Sequence, residues 1–166
     1  GTNTICAGGS STFTASGGGT YAWSTGASTA AITVSTAGTY TVTVTDAVST
    51  SATITVTVTQ PTQVNISLVS TTQASCAPGC DAVAVVSANG GTAGYTYGIA
   101  PAAGITQNPV GTFTGLCSGT AYVVTATDAN GCTAQTGGNI TQPTALIASA
   151  TPGTILCNGG QRFSLV

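Results

Sequence analysis

The chain has 166 residues, enough for one domain or two small ones. It carries one Arg (Arg162) and three Asp (Asp46, Asp81, Asp128), with no Glu, Lys or His and a net charge of −2. That inventory excludes nucleic acids and anionic membrane surfaces as partners, because both are held through Lys and Arg. It also leaves no base to activate a nucleophile, so neither enzymatic activity nor a cofactor site is expected.

In chain order, the first feature is "ICAGG" (Ile5 to Gly9), with only five residues before Cys6. "GGTYAW" (Gly18 to Trp23) follows. Its lone Trp and Tyr21 suit the space between two packed sheets better than a ligand-stacking surface. Next, "YTVTVT" (Tyr40 to Thr45) and "TITVTVT" (Thr53 to Thr59) alternate apolar and polar residues with period 2, the pattern of half-buried strands. The connector "DAVSTSA" between them predicts an antiparallel hairpin with Asp46 capping the turn. At Thr59 to Thr62 the word "TQPT" ends the second strand, since Pro61 cannot donate to a ladder.

After Pro61 the same features return. A strand-like "QVNISLVS" (Gln63 to Ser70) precedes Cys76 and Cys80, "GGTAGYTY" (Gly90 to Tyr97) matches Gly18 to Trp23, and "YVVTATDANGC" (Tyr122 to Cys132) matches Tyr40 to Thr50. Tyr40 and Tyr122 occupy tyrosine-corner positions, and each stands six residues before an Asp. "TQPT" recurs at Thr141 to Thr144, 82 residues after the first, about the size of one small β-sandwich. The tail then reopens the pattern with "ALIASATPGTIL" (Ala145 to Leu156) and "LCNGG" (Leu156 to Gly160).

These repeats predict three segments: 1–60, a β-sandwich short of its first strand; 61–144, a complete sandwich of about seven strands; and 145–166, the opening of a further copy or a donated strand. Pro61 and Pro143 are then stiff hinges between sandwiches. Ala145, Leu146, Ile147 and Ala148 would begin the strand donated to the next subunit.

The six cysteines, with no His and no zinc-ligand spacing, read as disulfides and place the chain in an oxidising compartment, extracellular or at the cell surface. In 61–144 a nested connectivity, Cys76–Cys132 and Cys80–Cys117, is preferred among the three that four cysteines allow. Cys6 has no local partner because Thr50 stands where the second copy has Cys132, and Cys157 lies near the end of the sequence. Two readings stay open: Cys157 pairs beyond residue 166, or Cys6 and Cys157 meet across a contact between chains. Two Asp in equivalent turns of different segments do not gather the six to eight oxygens of a calcium site, so no metal is expected.

Other features remove or add little. The apolar stretches fall far short of the roughly 20 residues of a membrane span, and no leader is visible, so the chain reads as a mature or excised segment. Two sequons, at Asn65 and Asn139, are short enough to occur by chance in Thr-rich sequence. A surface of Thr, Ser, Asn, Gln and Gly repels its own copies weakly, so self-association is expected.

The words "ASGGGTYAWSTG", "AGTYTVTVTDA", "GLCSGTAYVVTATDANGC" and "ITQPTAL" together resemble the tandem immunoglobulin-like repeats of large surface adhesins from gliding bacteria, the SprB-type repeat secreted through the type IX pathway. The resemblance covers most of 6–60 and 76–146. The chain departs from it by the missing cysteine at Thr50 and by the long insertion between Tyr97 and Phe113. It implies an all-β fold of tandem immunoglobulin-like sandwiches with disulfides. It also implies a structural role in an extracellular filament or adhesin, with copies of itself or adjacent repeats as partners. The alternative is a carbohydrate- or ice-binding module that uses the Thr-rich strand faces, with surface polysaccharide as the partner.

Overall fold

The computed structural model describes residues 1–75 and 79–144. Among them are thirteen strands and no helix. β-branched residues, Gly and Ser fill the chain, which favours pleated half-buried surfaces over helices. Six strands precede Pro61: β1 (Thr2–Thr4), β2 (Ser11–Thr14), β3 (Thr20–Trp23), β4 (Ala31–Val34), β5 (Gly38–Thr45) and β6 (Ser51–Thr59). Seven follow: β7 (Asn65–Thr71), β8 (Ala82–Asn89), β9 (Thr96–Ala100), β10 (Thr106–Gln107), β11 (Thr112–Leu116), β12 (Ala121–Thr127) and β13 (Thr133–Asn139).

The C-terminal seven form two sheets in the orders β10-β11-β8-β7 and β13-β12-β9. This is the four-plus-three arrangement of a constant-type immunoglobulin sandwich. Their core holds Ala82, Ala84, Val86, Phe113, Leu116, Tyr122, Val124 and Ile140. The insertion between Tyr97 and Phe113 carries β10, which pairs with β11 and supplies the fourth strand of that sheet.

The N-terminal six form a sheet β1-β6-β5-β3 and a two-stranded sheet β2-β4. They enclose a second core of Ile5, Trp23, Ile32, Val34, Val42 and Val58. The hairpin predicted from period-2 alternation is β5–β6, in register Tyr40↔Val56 and Val42↔Ile54. Trp23 is 6% exposed and donates its Nε1–H to Thr29 O at 2.9 Å, a core residue with its one polar group satisfied.

Both tyrosine corners are present. The Tyr122 hydroxyl accepts the Cys117 N–H at 2.9 Å, and the Tyr40 hydroxyl donates to Thr36 O at 2.9 Å. Each reaches back over the turn that precedes its strand, so the entry of β12 and of β5 is fixed against its own core.

Candidate functional site

Because the chain offers almost no chemistry, its most informative site is the joint between the two cores. Cys6, directly after β1, is bonded to Cys132 in the turn between β12 and β13, 126 residues away in sequence. This corrects the expected Cys76–Cys132 pairing, and also the reading in which Cys6 meets Cys157 across a contact between chains. The physical reason lies in the linker. Ile5 N–H donates to Thr59 O at 3.0 Å and Gln60 Nε2 donates to Cys6 O at 3.2 Å, so Cys6 sits where the chain leaves the first core. On the other side Gly91 N–H donates to Thr62 O at 2.9 Å, drawing the linker onto the end of the second core where Cys132 lies. Pro61 is half-buried within this tied segment.

Gly90 and Gly91 make the approach possible. Both have positive φ, +75° and +57°. A Cβ on Gly90 would stand 2.0 Å from Gln63 O, and one on Gly91 2.6 Å from the Val64 side chain. Val64, 3% exposed, is thereby packed beside Asp128.

The two Asp turns share one geometry. Asp46 Oδ1 accepts the N–H groups of Val48 and Thr50 at 2.9 and 2.8 Å; Asp128 Oδ1 accepts those of Asn130 and Cys132 at 2.9 and 2.8 Å. Asp128 alone gains a third partner, the Thr92 N–H at 2.9 Å to its Oδ2. It is 5% exposed, and the Thr92 N–H is the main reason its carboxyl titrates below the usual carboxylate range, with burial opposing and the turn N–H groups assisting. Asp81 is likewise held low, chiefly by Ser75 through its side chain and its N–H.

Of the other residues singled out by sequence, Cys80 is bonded to Cys117. Pro143 is exposed at the end of the described residues. Cys76, Cys157 and the strand beginning Ala145, Leu146, Ile147 and Ala148 lie outside the described residues. The Thr rows form an outward face on β1, β6 and β5, where hydroxyls pair across strands: Thr41 with Thr55 at 3.1 Å, Thr43 with Thr53 at 3.0 Å and Thr4 with Thr59 at 2.9 Å. Among the described residues no group of three or more His, Cys, Asp or Glu gathers that could hold a metal, and no helix is long and apolar enough to cross a membrane.

Sequence reasoning did not single out Val64, Gly91 or Thr92. The available signal was the double glycine shared by "GGTYAW" and "GGTAGYTY". It marks a close backbone approach without naming what approaches.

No protein-family model and no curated protein matches the chain. Among solved structures it is similar to the crystal structure of Dpr2 Ig1-Ig2 in complex with DIP-Theta Ig1-Ig3, at 12% identity and a TM-score of 0.33. The match covers 84% of this chain but 61% of the other, so this chain spans less than two thirds of that one.

Proposed function

We propose that the chain is a non-enzymatic, tension-bearing segment of an extracellular filament or cell-surface adhesin, built from immunoglobulin-like units joined head to tail. The observation that carries this reading is the position of the Cys6–Cys132 bond. A pull applied on either side enters through residues 1–6, crosses the disulfide and leaves through the chain from residue 132 onward. Residues 7–131, with most of both cores, lie off the covalent load path; β1 with Ile5 and β13 with Ile140 stand on it. The 126-residue separation is a loop that tension cannot open, worth roughly 430 Å of extended chain at about 3.4 Å per residue. Such a shunt keeps the length of a stalk under load.

Disulfides and a sandwich fold suit an oxidising, extracellular setting. With no Lys available for an isopeptide staple, a disulfide is the covalent brace this composition allows. The outward Thr rows fit the same role, as a neutral solvent face whose hydroxyls satisfy one another in pairs.

Single-molecule stretching with handles at the two ends tests the reading. The oxidised chain is expected to release none of the 7–131 length. The Cys6→Ser variant should release roughly 300 Å more than the oxidised chain, because the Cys80–Cys117 bond still locks 37 residues of separation, and full reduction roughly 430 Å more. Equal extension with and without reductant would overturn the proposal.

A further inference from the structure

The two halves differ at one edge. In the C-terminal half β8 is paired on both sides, by β11 and by β7. In the N-terminal half its counterpart β2 pairs with β4, and among the described residues no strand covers its other edge. Ala15 N–H donates to Ala30 O, in register with the pairs Phe13↔Ile32 and Ser11↔Val34. In an antiparallel ladder these alternate with pairs whose polar groups point outward, so Thr12 and Thr14 turn their N–H and C=O groups to the open side.

Beside the C-terminal end of β2 lies a groove of about 320 Å³ lined by Ser16, Gly17, Val44, Asp46, Ala52 and Ile54, among others. Ile54 is 68% exposed although it alternates in step with the core residue Val58. Shifting by the 82-residue repeat places Asp46 on Asp128 and Val44 on Ala126. In the C-terminal half that place is filled: Val64 is packed beside Asp128, and β7 runs on from it along β8.

We infer that this open edge and groove receive residues 145–151 of a second copy of the chain as an added strand. The donor follows the second "TQPT" just as β7 follows the first. By the same shift Leu146 takes the place of Val64, and Ala148 and Ala150 those of Ile66 and Leu68. The sizes compensate. Leu68 shares a slot with Thr136 and Gly138, small residues on β13; their counterparts on β6 are the larger Ile54 and Val56, which call for the smaller Ala148 and Ala150. Pairing through an unpaired sheet edge with side-chain pockets alternating along it is strand addition. The joint between copies then repeats the joint within the chain, except that Thr50 stands at the position of Cys132, so the contact carries no disulfide to that turn. This gives the head-to-tail assembly proposed above a mechanism. It rests on that reading only for assembly, because the variants below leave Cys6–Cys132 and hence the stretching experiment untouched.

Sedimentation velocity under oxidising conditions tests it with four proteins. The full chain should form a concentration-dependent series of oligomers, and a chain ending at Thr144 should stay monomeric. Within the full chain, Ile54→Asp, which charges the groove, should weaken association at least tenfold with the unfolding midpoint unchanged, and Thr12→Pro, which removes an outward donor from β2 and also the Thr12–Thr33 hydroxyl bond, should weaken it at least tenfold in protein that is still folded. A synthetic peptide of residues 144–152 should bind the truncated chain and fail to bind its Ile54→Asp form. Equal association of full and truncated chains, a full chain monomeric at its highest soluble concentration, or peptide binding indifferent to Ile54→Asp would each overturn the inference.

Discussion

The turns at Asp46–Thr50 and Asp128–Cys132 are built alike, hydrogen bond for hydrogen bond, yet one is an exposed hairpin tip and the other is the anchor of a joint. The difference comes from what each turn meets. Asp128 is closed over by Thr92 and Val64 because a linker arrives there, and Cys132 is bonded to Cys6 at the other end of that linker. Asp46 faces an open groove. A repeated local motif therefore acquires its role from its neighbour, and one cysteine in place of threonine decides whether the contact is covalent.

The largest expected effect separates the two covalent ties. Cys6→Ser or Cys132→Ser opens a loop of 126 residues, which in the chain-entropy account costs about 5 kcal/mol, whereas Cys80→Ser opens 37 and costs about 4 kcal/mol. Denaturant midpoints of the oxidised variants should rank in that order.

Next come the Asp turns themselves. Asp128→Ala strips an acceptor from three backbone N–H groups, those of Thr92, Asn130 and Cys132, in a buried setting; Asp46→Ala strips two at an exposed tip. Thermal unfolding should show the larger loss for Asp128→Ala, and equal losses would mean that the joint adds nothing to the turn.

The pH dependence follows from the same groups. Asp128 and Asp81 titrate lower in the folded chain than an ordinary Asp carboxyl, so the folded state binds fewer protons than the unfolded state in that range. Their stabilisation is fully present above the unfolded Asp value of about 3.9 and is lost as pH falls through the lower folded values. With no His, Glu or Lys, the midpoint should be flat between about pH 5 and 7 and drop in acid. Asp128→Asn should blunt that drop.

Smaller still, Tyr122→Phe should cost about 1 kcal/mol by leaving the Cys117 N–H unpaired. Thr43→Val with Thr53→Val on the outward face should stay within about 0.5 kcal/mol, since surface changes of this kind rarely exceed it.

Much of this fold is legible in the sequence because its signals are local. The alternation from Tyr40 to Thr59 yields the β5–β6 hairpin, and the spacing of Tyr40 and Tyr122 from their turns yields both corners. The partner of Cys132 was not legible, because it depends on where a five-residue linker lays one core against another, and spacing carries no such information. The repeat itself misleads by one residue. Ile5 and Ala74 make the same hydrogen bond, to Thr59 and Thr141 respectively, which sets Ser75 and not Cys76 at the place of Cys6.

The Cys6–Cys132 bond holds the joint together, and digestion of the non-reduced protein before each Asp reads it out. Cleavage at Asp46, Asp81 and Asp128 yields fragments 1–45, 46–80, 81–127 and 128–166, which separate Cys6 from Cys76 and Cys132 from Cys117. Mass spectrometry of the Cys157→Ser protein, in which Cys132 is the one cysteine of the last fragment, should find 1–45 bonded to 128–166 and 46–80 bonded to 81–127. Fragment 46–80 bonded to 128–166, with 1–45 released free, would show that Cys132 pairs within its own half and that no such bond braces the joint.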